Sequence, residues 1–258
     1  MITRQGVKTI LDHQQIRIIY EDNHLLLIHK PAGVLSQADS SERPDILTLM
    51  KAYLKERYQK TGDVYLGLVH RLDYPVEGIM VLAKTSKAAS RLSKEIREHR
   101  FEKRYLAVVK GRPDPAEGSF TDLLTKDYRR NRVHSLRDDD FEYGKAKAAK
   151  LNFRVLSSQD GQSLVEIDLI SGRSHQIRVQ FSSRGYPLVG DGRYDAREEK
   201  ADGESEIALI AYSLSFKHPT KDEQLHFHTD LPKSSAWLAF QGVLHTLEEA
   251  TEQTEGSN

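Results

Sequence analysis

Short runs of apolar and β-branched residues alternate with polar segments along the chain, and the spacing of the apolar positions predicts the type of each element. The runs 16–20 and 25–29 flank the polar segment 21–24, a pattern that predicts a β-hairpin. From Asp45 to Tyr58 the apolar residues recur at helical spacing, and Asp45 is suited to cap the first turn. A first helix is therefore predicted directly after the hairpin.

Later segments continue this mixture of strands and helices. Two apolar runs, 64–69 and 78–83, predict strands joined by a loop from His70 to Glu77, and such loops often carry chemistry. The other predicted elements are a helix capped by Ser86 that ends near His99, strands over 103–110, 148–156 and 163–170, a helix from Ser174 to about Gly185, strands over 207–216 and 223–228, and a helix over 234–247. Strict βαβ alternation is lacking, so we predict an α+β fold with a mixed, largely antiparallel central sheet flanked by helices.

The length and the pattern together predict one catalytic domain over residues 16–247. At 258 residues the chain is long enough to bury a substantial core within one domain. Residues 1–15 are expected to form an N-terminal extension. Residues 248–258 are rich in Glu, contain no Lys or Arg and have few apolar side chains, so we expect a flexible acidic tail.

Composition excludes several kinds of site. The chain has no cysteine, which excludes disulfides, thiolate metal sites and cysteine nucleophiles. No run approaches the roughly 18 apolar residues of a membrane span, and no apolar signal segment follows the N-terminus, so we expect a cytoplasmic protein without a membrane partner. His226 and His228 share one face of a predicted strand, but no further ligand stands at metal-binding spacing, and no metal site is predicted.

Charge is balanced over the whole chain but concentrated locally. The 38 Lys and Arg residues equal the 38 Asp and Glu residues in number, so any attraction to a polyanion must come from clustering. Between Lys84 and Arg112, ten basic residues stand against three Glu. This stretch is either a solvated helix face or a surface that contacts phosphates.

Three segments contain the residue types of a reactive site. The loop segment 70–73, His-Arg-Leu-Asp, offers a carboxylate between two strands, and 103–109 places an aromatic ring on a strand within a basic region. The segment 172–178, Gly-Arg-Ser-His-Gln-Ile-Arg, puts a guanidinium near a helix N-terminus and is followed by Pro-Leu-Val-Gly-Asp at 187–191. Taken singly, these residues suit ordinary roles, such as a surface ion pair for Asp73. Their joint occurrence favours a site.

These segments resemble the HRLD, KxYxA and GRxHQIR motifs of RluA-type RNA pseudouridine synthases, and Lys-Pro-Ala-Gly at 30–33 and His-Pro at 218–219 also fit. The resemblance extends from about Ile16 to Pro232 in the family's order. It implies the pseudouridine synthase catalytic fold and isomerisation of a uridine in structured RNA, with ribosomal and transfer RNA both open, and no cofactor or metal. Many members carry a small N-terminal RNA-binding domain, and we expect none here because the first predicted hairpin begins at about Ile16. We expect a monomer.

The resemblance also implies individual roles. Asp73 matches the nucleophile that attacks the anomeric carbon or the uracil ring of a uridine flipped out of the RNA. Tyr105 matches the ring that stacks on the base, and Arg178 matches the arginine that keeps the aspartate ionised. The matching substrate-binding positions are His70, Arg71, Arg173, His175, Leu188 and Val189. Among these, Arg71 matches the residue that fills the space vacated by the base, and Leu188 or Val189 is expected to pack around the base.

One part of the pattern departs from the family. Many members follow the aspartate with two variable residues and then Thr-Ser-Gly or Thr-Thr-Gly, whereas this chain has Tyr-Pro-Val-Glu-Gly at 74–78. Glu77 adds a second carboxylate, which leaves open a base-excising hydrolase that uses Asp73 with Glu77 or Asp191. A non-catalytic RNA-binding or assembly factor of the same fold is the other alternative. Reaction with uridine-containing RNA separates them, because the products are pseudouridine, free uracil or unchanged RNA.

Overall fold

A computed structural model describes residues 12–136, 146–195 and 206–255. Eleven strands within these ranges form one mixed sheet. Residues 1–11 of the predicted N-terminal extension and residues 256–258 of the predicted tail lie outside the described residues.

The sheet is antiparallel throughout except for one parallel pair. Its strands are β1 (Ile18–Glu21), β2 (Leu25–Lys30), β3 (Gly67–Leu68), β4 (Glu77–Ala83), β5 (Glu102–Lys110), β6 (Glu117–Asp127), β7 (Arg132–Leu136), β8 (Lys147–Gln159), β9 (Gln162–Asp168), β10 (Leu209–Lys217) and β11 (Gln224–His228). They lie in the order β1-β2-β4-β10-β5-β9-β8-β6-β7, with β3 beside β4 and β11 beside β10. Only β4 and β10 pair in parallel among these strands. The predicted α+β fold with a largely antiparallel sheet is confirmed.

Helices cover both faces of the sheet. They are α1 (Ile46–Arg57), α2 (Ser86–Arg97), α3 (Gln176–Ser182) and α4 (Gln241–Glu255), and α4 follows a 3-10 helix at Ser235–Phe240. Because side chains alternate across a strand, each strand contributes to two cores. We call the face packed against α1 and α3 the front, with Leu26, Ile28, Met80, Leu82, Tyr105 and Ala107. The back, packed against α2 and α4, contains Leu25, Leu27, Ile79, Val81, Leu106 and Val108.

Two helix starts differ in detail from the sequence expectations. The predicted N-cap Asp45 is confirmed, since its carboxylate accepts a hydrogen bond from the Thr48 amide at 3.0 Å. Helix α2, however, is capped by Thr85 and not by Ser86, because the extended Thr85 places its hydroxyl 3.2 Å from the Ala88 amide. Helix α3 begins at Gln176 and not at Ser174, because His175 adopts a left-handed conformation with φ 51°.

The C-terminal helix extends further than its pattern predicted. Residues 235–240 form a 3-10 helix, and α4 then continues to Glu255, past the predicted end at Leu247. Residues 248–255, expected to belong to an acidic tail, are therefore helical. Glu, Ala and Gln are good helix formers, and His245 lies 3.3 Å from Glu249 one turn later. Acidic composition alone did not distinguish a tail from a solvent-exposed helix.

The hairpin of β6 and β7 was absent from the sequence expectations. Its strands pair with each other and, through β6, with β8 at the edge of the sheet. Only Phe120, Leu124 and Val133 of these two strands are buried, so a strong apolar alternation is missing. Weak periodicity of this kind is typical of strands that face solvent over most of their length.

We predict that Gly78→Ala strongly destabilises the fold. Gly78 pairs with Ala211 where β4 and β10 run in parallel, its φ is 126°, and an added Cβ would lie 2.2 Å from the Ala211 carbonyl oxygen. Forcing the two strands apart is expected to lower the free energy of unfolding by about 3 kcal/mol or more. Gly62→Ala is the control, since a Cβ there meets nothing within 4 Å. Equal urea-unfolding curves for both variants would contradict this account of the strand pair.

Candidate active site

Asp73 lies on the loop between β3 and β4, and the preceding residue anchors that loop. The Leu72 amide donates to the Ser36 hydroxyl at 3.1 Å, and the same hydroxyl donates to the Leu72 carbonyl oxygen at 2.7 Å. Leu72 itself is buried in the front core. The side chain of Asp73 remains 27% exposed, so the carboxylate is reachable while its backbone is held.

A buried lysine fixes the other side of this loop. Lys30 is completely buried, and its Nζ donates to the carbonyl oxygens of Pro31 at 2.9 Å, Val34 at 2.7 Å and Tyr74 at 3.3 Å. Burial lowers the pKa of Lys30 to about 7, while the negative charges of Asp73 and Glu77 act in the opposite direction. Lys30 thus connects the turn at 30–33 to the Asp73 loop through its hydrogen bond to Tyr74. The Lys-Pro-Ala-Gly motif by itself did not predict this role.

Tyr105 is on the front face of β5, next to Asp73. It lies between Ile167 of β9 and Ala211 of β10 and is only 6% exposed. Burial raises the pKa of the Tyr105 hydroxyl, and the charge of Asp73 raises it further. The ring therefore carries a neutral phenol near the carboxylate.

Arg178 is buried and makes its strongest contact with Asp191. Its Nε and Nη2 donate to the two carboxylate oxygens of Asp191 at 2.7 and 2.6 Å, and Nη1 lies 3.7 Å from Oδ2 of Asp73. Two-point pairs of this kind are the strong form of an ion pair. The sequence led us to pair Arg178 with Asp73 alone and to weigh Asp191 as a hydrolytic acid. In the structure both carboxylate oxygens of Asp191 accept hydrogen bonds from Arg178, and only Nη1 of Arg178 faces Asp73.

His175 and Tyr194 complete the surroundings of Asp73. His175 Nε2 lies 4.0 Å from Asp73 Oδ2, and Nδ1 lies 2.8 Å from the Tyr194 hydroxyl. Burial lowers the pKa of His175 to about 4, an effect that the charge of Asp73 only partly offsets. Tyr194 also stacks against Arg178, whose guanidinium carbon is 5.1 Å from the ring centroid. No motif drew attention to Tyr194, although it follows Asp191 by three positions.

Three other candidate residues pack against the interior: Leu188 is buried, and His70 and Val189 are half-buried. His70 Nε2 accepts a hydrogen bond from the Val81 amide at 3.0 Å, and burial lowers the pKa of His70 to about 3. Leu188 belongs to the front core that contains Tyr105, whereas Val189 packs with the back core that contains Leu106. Of the two residues proposed to pack around a base, Leu188 is on the face of the site.

The two remaining candidate residues are exposed arginines. Among the described residues none holds the Arg71 side chain by a hydrogen bond or ion pair, and Arg71 stands two positions before Asp73. Arg173 donates from Nε to the Ala148 carbonyl oxygen at 2.9 Å, and its amide donates to the Gln176 side chain at 3.0 Å. Arg71 therefore has more freedom to reach a ligand than Arg173 has.

Among residues 12–136, 146–195 and 206–255, no three His, Asp or Glu side chains come together as a metal site. His226 and His228 lie on β11 opposite Ser215 and Ser213. No helix in the same part of the chain is long and apolar enough to cross a membrane.

Comparison with known proteins identifies the family. Residues 24–183 match the family model described as RNA pseudouridylate synthase. The chain belongs to this family. Its members convert uridine in RNA to pseudouridine, and this chain is an RNA pseudouridine synthase.

Pseudouridine synthases of bacteria are similar to the chain over most of its length. The ribosomal large subunit pseudouridine synthase D of Zymomonas mobilis is 31% identical over 234 residues, covering 86% of this chain and 71% of the relative. The dual-specificity RNA pseudouridine synthase RluA of Yersinia pestis is 30% identical over 211 residues, covering 81% of this chain and 96% of the relative.

Solved structures of two human proteins share the fold. Human RNA pseudouridylate synthase domain containing 4 superimposes with a TM-score of 0.68 at 24% identity, covering 84% of this chain and 89% of that one. Domain containing 1 gives a TM-score of 0.66 at 22% identity, covering 91% and 96%. The predicted pseudouridine synthase catalytic fold is confirmed.

We predict that Asp191→Asn is severely destabilising although it preserves size. It leaves the buried Arg178 charge without its carboxylate, which typically costs about 3–5 kcal/mol. Asp160→Asn removes the same charge from an exposed turn and is expected to change stability by less than about 0.5 kcal/mol. Urea unfolding of both variants provides the measurement. If Asp191→Asn is as stable as Asp160→Asn, the ion pair is not what holds this region together.

Proposed function

We propose that Asp73 is the nucleophile of the isomerisation and acts on a uridine flipped out of structured RNA. The observation that carries this proposal is a partly exposed carboxylate beside Arg178, His175 and the buried ring of Tyr105. A positive charge near a carboxylate favours its ionised, nucleophilic form. Asp73 is only partly exposed, so a base within folded RNA has to leave its stack to reach the carboxylate.

The reaction is balanced without an oxidant or a metal. The bond between N1 of uracil and C1′ of ribose breaks, the ring turns, and C5 bonds to C1′. The hydrogen on C5 is lost as a proton, and N1 gains one. Asp73 attacks C1′ or the uracil ring in this scheme, and Tyr105 stacks on the base with its neutral hydroxyl available for proton transfer. Leu188 packs beside the base, and Arg71 fills the gap left in the RNA.

The RNA that supplies the uridine is proposed to be ribosomal or transfer RNA. Similar proteins are named as synthases of the large ribosomal subunit or as dual-specificity enzymes. We also propose a monomeric, cytoplasmic enzyme that needs no cofactor. Mapping pseudouridines in total RNA from cells with and without the gene identifies the modified position, because that position disappears only when its synthase is absent.

Asp73→Asn is expected to abolish isomerisation with little change in RNA affinity, because it removes the nucleophile but no phosphate-contacting cation. The assay measures tritium released from RNA labelled at C5 of uridine, together with any free uracil. Asp63→Asn, on an exposed segment before β3, is the control and should remain active. Tritium release by Asp73→Asn at the control's rate would refute the assignment, and free uracil from the wild-type protein would indicate hydrolysis.

We further propose that the β6–β7 hairpin contacts the RNA around the flipped uridine. Its tip presents an exposed tyrosine, Tyr128 at 83% exposure, among exposed cations that include Arg129 and Arg130. Aromatic rings and cations together are typical of surfaces that bind unpaired RNA. The hairpin also contacts the site, since the Val133 amide donates to the Tyr194 hydroxyl at 2.8 Å.

The basic face of α2 is the competing surface, and its position argues against it. This helix packs on the back of the sheet through Ala88 and Leu92, whereas Tyr105 is on the front. The exposed cations Lys87 and Lys94 therefore belong to a helix on the opposite face of the sheet from the site. Their clustering in the sequence is consistent with a solvated helix face.

Equal changes of charge distinguish the two surfaces. Arg129→Gln with Arg130→Gln should weaken RNA binding and reduce the slope of log affinity against log salt by roughly 0.7–0.9 per lost phosphate contact. Lys87→Gln with Lys94→Gln removes the same charge from α2 and should change both quantities less. Affinity and salt slope are measured on RNA containing the mapped uridine. A larger loss of RNA affinity in the α2 variant would indicate that α2, and not the hairpin, contacts the RNA.

A further inference from the structure

A chain of polar contacts leads from the hairpin to Asp73. The Val133 amide donates to the Tyr194 hydroxyl at 2.8 Å, and that hydroxyl lies 2.8 Å from Nδ1 of His175. On the other side of the ring, Nε2 of His175 lies 4.0 Å from Oδ2 of Asp73. All three side chains are buried or half-buried, so water competes little for these contacts.

The direction of these hydrogen bonds follows from what each group is able to donate. A backbone amide only donates, so the Tyr194 oxygen accepts from Val133 and keeps its own proton to give away. Among the described residues, Nδ1 of His175 is the acceptor within reach. With its pKa lowered to about 4 by burial, His175 is neutral at physiological pH and carries one ring proton. When Nδ1 accepts from Tyr194, that proton is on Nε2, the nitrogen that faces Asp73.

Two donors then approach the same oxygen of Asp73. Arg178 Nη1 lies 3.7 Å and His175 Nε2 lies 4.0 Å from Oδ2. Within the described residues Oδ1 has no hydrogen bond or ion pair. Distances of this size exceed a direct hydrogen bond, but catalytic contacts are often long before substrate binds and shorten in the reacting complex.

We propose that His175 and Tyr194 are positioning residues for Asp73. The Tyr194 hydroxyl fixes His175 in the tautomer with a proton on Nε2, and this N–H group acts with Arg178 to hold Oδ2, so that Oδ1 is the oxygen that attacks. The inference rests on the proposed role of Asp73 as nucleophile. It assigns His175 to the orientation of the carboxylate and gives Tyr194 a function that its place in the sequence did not suggest.

The tautomer is measured directly by nitrogen NMR of the histidine rings, without any reaction. The His175 signals are identified as those missing in His175→Gln. In the wild-type protein we expect a neutral ring protonated at Nε2, and in Tyr194→Phe we expect a form protonated at Nδ1 to appear. A wild-type ring protonated at Nδ1, or an unchanged tautomer in Tyr194→Phe, would overturn the inference.

Kinetics test the consequence for the reaction. Tyr194→Phe and His175→Met should lower the single-turnover rate at saturating enzyme about tenfold, as expected for loss of one hydrogen bond in the reacting complex, with RNA affinity unchanged. His175→Gln should recover most of the rate, because its amide both accepts from Tyr194 and donates to Asp73. Tyr53→Phe is the control and should react at the wild-type rate. It also removes a half-buried hydroxyl, which donates to Glu21 at 2.8 Å and does not contact Asp73.

The outcomes separate failure of this inference from failure of the proposed nucleophile. If Asp73→Asn is inactive while Tyr194→Phe and His175→Met react at the wild-type rate, Asp73 remains the nucleophile and the positioning role is wrong. If His175→Gln is as slow as His175→Met while both unfold at the same urea concentration, restoring a donor at position 175 does not restore the rate, and the proposed donation to Asp73 is wrong. An active Asp73→Asn would overturn the nucleophile itself.

Discussion

The buried ion pair between Arg178 and Asp191 joins α3 to the segment that follows it, and the site is arranged around that contact. A charge buried without its partner is costly, so each side chain holds the other in place. Because Nε and Nη2 are engaged by Asp191, Nη1 is the nitrogen left to face Asp73. The planar guanidinium thereby holds Asp191 by two hydrogen bonds and also places positive charge beside Asp73, the proposed nucleophile, which a lysine ammonium would not reproduce.

The sheet supplies the second constraint. Side-chain alternation along β5 puts Tyr105 on the front face and its neighbour Leu106 on the back. The parallel pairing of β4 with β10 requires the close approach of Gly78 to Ala211, five residues after Asp73. The loop that carries Asp73 therefore begins at one strand of the sheet and ends at another, while Lys30 donates a hydrogen bond to its Tyr74 carbonyl oxygen. Because the backbone of the loop is held at these points, few further contacts are needed to orient the Asp73 carboxylate.

Sequence reasoning recovered most of the strands and helices because their apolar periodicity and capping residues are local properties. Asp45 at the start of α1 and the hairpin of β1 and β2 are examples. It missed the β6–β7 hairpin, whose strands face solvent and lack a clear apolar alternation. It also took the acidic residues after Leu247 for a tail, since acidic composition alone does not distinguish a tail from a solvent-exposed helix.

By itself the sequence determined the fold class, the family and the candidate residues Asp73, Tyr105 and Arg178, because motif identity and spacing are written along the chain. Only the tertiary structure decided which groups meet. In the fold, Arg178 pairs more closely with Asp191 than with Asp73, and the Tyr194 hydroxyl contacts His175. The basic helix α2 packs on the back of the sheet. These outcomes depend on contacts between different elements of the fold, and hydrogen-bond geometry between such elements exists only once the chain has folded.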